Sequence, residues 1–280
     1  MDESNSANNE REQIEPTWWQ RFATALQFLT RIPVSLPEGR PAEYYSTAFR
    51  LSLVFFPVVG GLVGLFTALV FVGLMALGLT PLVAAFIAIG CEAFLTGGFH
   101  EDAFADTWDA LGGGWSSEQV LEILKDSRLG TYGSLALVVG VGIRVTAMAA
   151  IAQKSYMGTS GSHLGTLLSI IAAASIARIA ILAIMATTSP VANRVSKTNE
   201  LSNRQSFQTV WMGTLLSSPF CVPWVLSDFP VACVSLIVTS ATLFWFRSIL
   251  LRRVGGTTGD FLGCSAYLTQ LIVLIGASVR

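Results

Sequence analysis

Eight of the eighteen acidic residues of this chain lie between Glu92 and Asp126, and four fall in the string Thr-Gly-Gly-Phe-His-Glu-Asp-Ala-Phe-Ala-Asp-Thr-Trp-Asp, residues 96–109. On one helix Asp102, Asp106 and Asp109, spaced i, i+4, i+7, fall within an arc of roughly 60°. Carboxylates so placed repel one another unless something cationic offsets them. A divalent metal ion carrying a phosphate substrate is the simplest candidate. A solvated acidic surface is the competing reading, but Phe99, Phe104, Trp108 and Trp115 interleave the carboxylates and do not suit a face turned wholly to water. Gly97–Gly98 and Gly112–Gly114 flank the segment, which is expected to be a short helix between flexible joints. In that frame His100 points about 160° away from Asp102 and joins the carboxylates only if the helix begins after it.

Two other segments carry chemistry. Lys125-Asp126-Ser127-Arg128, followed by Gly130-Thr131-Tyr132-Gly133, can hold phosphate oxygens through Lys125, Arg128 and Ser127, the arginine bidentately. The same cations also suit a simple anchor for the apolar stretch that follows. Gly255-Gly256-Thr257-Thr258-Gly259-Asp260 can approach an anionic group closely and bring Asp260 as a metal ligand from a distant part of the chain. Alternatively, Asp260 caps the next helix. Arg144 and Arg178 lie in apolar helices, where an unpaired charge is expensive, and Glu92 is a candidate partner.

The elements that must position these residues are membrane helices. The chain is 52% hydrophobic and 12% charged, with mean hydropathy +0.60, against about 25% charged residues in soluble domains. Apolar runs long enough for the bilayer lie near 52–79, 81–96, 131–152, 164–187, 209–226, 230–250 and 261–278. The expected architecture is all-α: a polytopic bundle of about seven spans, 17–280 forming one integral-membrane catalytic domain. Residues 1–16, rich in Asn, Ser and Glu, read as a disordered tail. Residues 17–36 carry Trp18, Trp19, Phe22, Leu26 and Leu29 beside Arg21 and Arg31 and end at Pro33, as suits a helix lying in the interface.

With the N-terminus inside, thirteen of the fifteen cations in loops and tails fall on the cytoplasmic side, leaving Lys154 and Arg280 outside. The acidic helix and the 247–260 loop then both face the cytoplasm. Net charge of −1 with no basic stripe excludes nucleic acid as an expected partner. Cys91, Cys221, Cys233 and Cys264 have no metal-like spacing and read as buried thiols.

In order and spacing, these segments resemble the cobalamin synthase family, adenosylcobinamide-GDP ribazoletransferase. The resemblance runs through Phe28-Leu29-Thr30-Arg31-Ile32-Pro33, Phe56-Pro57-Val58-Val59-Gly60, Glu92 with Thr96-Gly97-Gly98-Phe99-His100, Asp102, Ala105-Asp106-Thr107, Asp109, the 125–133 segment, and Thr258-Gly259-Asp260 with Gly263. It covers residues from about 22 to 278. Glu101 and Ala103 depart from the usual Leu and Gly, and Tyr267 and Gln270 stand where acidic residues are expected.

The resemblance implies transfer of the cobinamide phosphate of adenosylcobinamide-GDP to α-ribazole or its 5′-phosphate, with release of GMP. It implies Mg²⁺ as cofactor and a bacterial inner membrane as location, with lipid around the chain and an oligomer permitted. In the resulting scheme Asp102, Asp106, Asp109 and Asp260 hold the metal, while Lys125, Ser127, Arg128 and Gly259 bind substrate. Arg128 and Asp106 also serve catalysis. His100 is the first candidate for the base that takes the ribose hydroxyl proton, because its ordinary pKa lies near 6.5; an aspartate is the second.

Two rivals remain. A CDP-alcohol phosphotransferase shares the strategy, but its Asp-x-x-Asp-Gly-x-x-Ala-Arg pattern is absent around Asp106 and Asp109. A secondary transporter would use midplane charges such as Glu92, Arg144 and Arg178 between paired repeats.

Overall fold

The computed structural model describes residues 15–157, 163–191 and 205–279. The tail read over 1–16 lies, but for Glu15 and Pro16, outside these residues, as do Arg11, Arg194, Lys197, Arg204 and Arg280. Twelve α-helices make up the described chain: α1 Trp18–Leu29, α2 Ala42–Ser52, α3 Phe56–Ala76, α4 Pro81–Thr96, α5 Phe99–Gly113, α6 Ser117–Ile123, α7 Thr131–Met157, α8 Leu164–Thr187, α9 Phe207–Leu216, α10 Ser218–Ser227, α11 Phe229–Arg253 and α12 Gly259–Ser278. Among the described residues five helices are long and apolar enough to cross a membrane, one of them Ala42–Ala76 with α2 running on into α3, or up to seven spans if each of two bent pairs counts as one. The chain is an integral membrane protein with an all-α fold, and the spans follow the apolar runs closely.

The two bent pairs have different causes. Between α4 and α5 the chain turns by 92° at Gly97 (φ 78°) and Gly98 (φ 67°), two successive left-handed positions that only glycine occupies without strain. The run 209–226, expected as one helix, is instead α9 and α10, bent by 69°. Pro219 lies at the start of α10 and lacks the N–H that would continue the α9 ladder. The ring of Phe220 then fills the space left by the missing side chain of Gly61 on α3.

α8 is the centre of the bundle, buried along most of its length. Its small side chains let α3 approach closely: a Cβ on Gly60 would stand 2.6 Å from the Ala174 carbonyl oxygen, and one on Gly64 2.8 Å from the Ala174 Cβ. Such small-residue contacts drive helix association where burial from water contributes little.

Alternating helix directions bring the chemistry to one end. The C-terminus of α4 meets α5, the N-terminus of α7 meets Asp109, and Arg247 near the end of α11 donates to the Thr187 carbonyl that ends α8. The Gln205 amide ahead of α9 donates to Met185, and Asp260 opens α12. At the opposite end, Lys154 donates to Asp228 at 3.2 Å and to the Val279 carbonyl at 2.9 Å. Arg21, Arg31, Arg40, Arg50, Lys125, Arg128, Arg247, Arg252 and Arg253 all sit at the end that carries the acidic helix. Among the described cations only Lys154 sits at the other.

A candidate active site on the acidic helix

The acidic string forms α5 from Phe99 to Gly113. Because the helix begins before His100, that side chain falls on the side away from Asp102. It is buried, and neither ring nitrogen has a hydrogen-bond partner. Burial, then the facing Arg178 and Arg144, hold the imidazole well below its ordinary pKa. The structure thus does not bring His100 to the carboxylate face.

Asp102 and Asp106 remain accessible on the outer face. Asp260 enters the same field from the first turn of α12. Its approach depends on Gly263 one turn further on, where a Cβ would stand 2.5 Å from that of Ala103. Partial burial, then the like charges of Asp102, Asp260 and Asp109, push the Asp106 carboxyl up to about 6. The N-cap of α12 is Thr258, whose hydroxyl accepts from the Phe261 amide at 3.4 Å, so capping is not the task of Asp260. Gly259 is exposed at the first position of the helix. Gly256 serves the fold instead: a Cβ there would meet the Ser189 carbonyl oxygen at 2.7 Å, where residues 189–191 pair with Thr257.

Asp109 has a different environment from its two neighbours. Its carboxylate accepts from the Gly130 amide at 2.7 Å and the Gly133 amide at 2.8 Å, capping the N-terminus of the 27-residue α7. This fastens the basic segment to the acidic helix. A Cβ on Gly133 would collide with that carboxylate and stand 2.9 Å from the Ala105 carbonyl oxygen. Gly133→Ala is therefore expected to destabilise the fold by about 1–3 kcal/mol, measured by thermal unfolding in detergent; a melting temperature equal to that of the parent would show that α7 can shift without loss.

In the basic segment the Asp126 carboxylate accepts from Arg128 Nε at 2.9 and 3.0 Å and from Nη2 at 2.6 Å. Those hydrogen bonds hold Asp126 down to about 2. They also set the exposed guanidinium in one orientation, with its Nη1 edge turned away from Asp126. Lys125 and Ser127 are exposed beside it.

Sequence reasoning offered Glu92 as a partner for Arg144 but missed the other supports of this site, Glu101, Arg253 and Arg31. Arg144 bridges two carboxylates, donating through Nη2 to Glu92 at 2.7 Å and through Nη1 to Glu101 at 2.8 Å. Thr67 completes the Glu92 oxygen at 2.8 Å. The two departures Glu101 and Tyr267 meet here, since the Arg144 guanidinium lies 5.6 Å from the Tyr267 ring centroid. Arg253 donates to the carbonyls of Leu111 and Gly114, closing the C-terminus of α5. Arg31 donates its backbone N–H to the Leu95 carbonyl at 2.8 Å and lays its guanidinium over Gly97, where no side chain would fit. Neither Arg253 nor Arg31 has a local spacing signal, because each acts on a carbonyl or glycine far away in sequence.

Among the described residues no three carboxylate, imidazole or thiol groups converge closely enough to enclose a metal ion on their own. The site is an open carboxylate face beside a basic segment, on a helix pinned near both ends.

Comparison with known proteins shows what the chain as a whole is similar to. Relatives named adenosylcobinamide-GDP ribazoletransferase include one from Rhizobium johnstonii, 34% identical over 90% of this chain and 94% of the relative. One from Shewanella piezotolerans is 34% identical over 94% and 99%, and one from Shewanella amazonensis 36% identical over 91% and 93%. No solved structure matches. The family described as cobalamin-5-phosphate synthase matches residues 21–278, and the chain belongs to that family.

Proposed function

We propose that the chain is an adenosylcobinamide-GDP ribazoletransferase, joining the cobinamide phosphate of adenosylcobinamide-GDP to α-ribazole or its 5′-phosphate and releasing GMP. The observation that carries the reading is the pair of accessible carboxylates Asp102 and Asp106 on α5, beside a basic segment fastened to that helix by Asp109. A pyrophosphate substrate brings more negative charge to a face already rich in it, so a cation has to accompany it. Mg²⁺ fits this donor set. It keeps several waters and takes one or two carboxylates plus substrate phosphates, so it needs no preformed cage.

Asp102, Asp106 and Asp260 are the proposed ligand set, of which an ion would take one or two at a time beside the substrate phosphates. Asp109, whose oxygens accept from two amides, contributes negative charge at this face and fixes the basic segment. When bound, the metal neutralises the pyrophosphate oxygens as charge develops on departing GMP. Lys125, Ser127, Gly259 and the open edge of Arg128 hold phosphate oxygens from the other side, and Arg128 offsets charge on the leaving group. The attacking ribose hydroxyl loses its proton on the exposed face. An aspartate of the cluster is the proposed acceptor, whereas His100 fills space behind it between α5 and the buried arginines.

The active face is proposed to lie in the cytoplasm, at a bacterial inner membrane, because the cation-rich end is the cytoplasmic end under the positive-inside rule. α1 then lies in the interface plane.

Purified protein mixed with adenosylcobinamide-GDP, α-ribazole and Mg²⁺ is expected to release GMP and form a new corrinoid, separable by chromatography; no GMP under any divalent cation would overturn the proposal. Metal binding should also follow the ionisation of Asp106. Affinity for Mg²⁺ is expected to weaken as pH falls through about 6, by up to about tenfold per pH unit, since the proton competes with the metal. Calorimetric titration across that range checks this, and a flat profile would remove Asp106 from the ligand set.

A further inference from the structure

A second polar feature lies at the same end of the bundle, apart from the carboxylates. The first turn of α1, α2 and the chain leading into α9 with its first turn border an open cavity of about 600 Å³. Arg21 and Arg50 line it, together with Trp18, Ser46, Thr47 and Thr209, and among the described residues no carboxylate lines it. Arg21 is held in place: Nε donates to the Pro16 carbonyl at 2.9 Å, and the guanidinium lies 5.4 Å from the Trp18 ring centroid. Among the described residues the carboxylate paired with Arg21 is that of exposed Glu15, at 3.9 Å. Arg50 has no ion-pair partner among the described residues. Two cations with surrounding hydroxyl donors form a receptor for a phosphate group.

The setting distinguishes one source of phosphate. Trp18 and Trp19 on α1 and Phe207 and Trp211 on α9 flank the cavity, and all four are more than half exposed. Large exposed aromatics at a helix end mark the level of lipid headgroups. α1 runs roughly 16 Å from its first residue to Leu29, and only beyond its far end does Arg31 reach the elbow between α4 and α5. None of the residues that line the cavity is among those that make up the carboxylate face.

We propose that this cavity binds the phosphate headgroup of an anionic phospholipid, bridging α1 and α2 to α9. The inference stands apart from the transferase reading, because it rests on residues that the proposed reaction does not use. Bound lipid would brace α1, whose far end meets the elbow that positions α5.

The test uses the full chain reconstituted in phosphatidylcholine alone or mixed with phosphatidylglycerol, with headgroup retention read by native mass spectrometry. Preferential retention of phosphatidylglycerol is expected, reduced about tenfold or more in Arg21→Gln/Arg50→Gln. Arg252→Gln, an exposed cation at the same end, should leave it unchanged and so separates a built site from general surface charge. Thermal unfolding in phosphatidylcholine alone shows whether the double variant still folds; if it does not, Thr47→Val and Thr209→Val, which keep both charges, are expected to weaken retention in its place. Equal retention of the two lipids, or equal loss in Arg252→Gln, would overturn the proposal. Inorganic phosphate or glycerol phosphate protecting the protein against unfolding in phosphatidylcholine as well as phosphatidylglycerol does would overturn the lipid as the source. Loss of GMP release with lipid retention intact would count against the transferase reading alone.

Discussion

Replacing Asp106 with Asn is expected to lower GMP release by about a thousandfold or more while leaving the fold intact. The side chain sits mid-helix on the outer face of α5, and its carboxyl, pushed up to about 6, is the one on which Asp102, Asp260 and Asp109 converge electrostatically. Asparagine keeps the shape and removes the charge. The same change should affect the metal-free protein in the opposite direction. Between the ordinary carboxylate value and about 6, the folded chain holds a proton at Asp106 that the unfolded chain has released, so stability falls as pH rises through that window. Removing the carboxylate removes this repulsion. Metal-free Asp106→Asn should gain on the order of 1 kcal/mol at neutral pH, after allowance for screening of a half-exposed group. Addition of Mg²⁺ should then raise the melting temperature of the parent but not of the variant. Near-parental turnover, or an unchanged Mg²⁺ shift in the variant, would place the metal elsewhere.

How far the sequence could reach depended on whether a residue acts within its own element. Span positions were legible because hydropathy is summed over a whole helix: the runs 81–96, 164–187 and 261–278 recur almost unchanged as α4, α8 and α12. The shared face of Asp102 and Asp106 was legible for the same reason, since helical periodicity is local. The break at Ser217 was not, although Pro219 and Pro223 marked it, because proline occurs in continuous membrane helices as well as in bent ones. Asp109 shared the helical face of its neighbours in sequence, yet its oxygens are engaged by amides of Gly130 and Gly133, a contact that exists only once α7 is docked. For Arg144 the need of a partner was legible and Glu92 was a candidate. The second partner, Glu101, was hidden because it sits in a string that reads as solvated chemistry, while its side chain points back into the bundle.

That bridge supports the second large expected effect. Arg144→Met should destabilise the fold by about 3–5 kcal/mol, the usual consequence of leaving a buried charge unpaired. Both ends of the bridge are sequestered: the Arg144 side chain is 1% exposed, that of Glu92 4% and that of Glu101 17%. Truncation leaves the Glu92 carboxylate with Thr67 as its remaining hydrogen-bonding side chain and with Arg178 as a nearby cation whose hydrogen bond goes to the Ala174 carbonyl instead, in a setting where an imperfectly paired charge is expensive. Transfer activity should fall as well, because the same guanidinium holds the first turn of α5 through Glu101 and thereby sets where Asp102 and Asp106 stand. The two consequences can be separated. Glu92→Gln combined with Arg144→Met removes the more deeply buried of the two stranded carboxylates but also takes from buried Arg178 its nearby anion, so part of the stability should return while turnover stays low, the contact to Glu101 being still absent. Arg144→Lys keeps the charge but has no planar fork to serve two carboxylates at once, so it should retain more stability than Arg144→Met and still lose turnover. Thermal unfolding and GMP release measured on the same preparations give both readouts. If the double variant is as unstable as Arg144→Met alone, packing rather than charge makes Arg144 necessary; if it recovers turnover along with stability, α5 holds its carboxylates in place without the bridge.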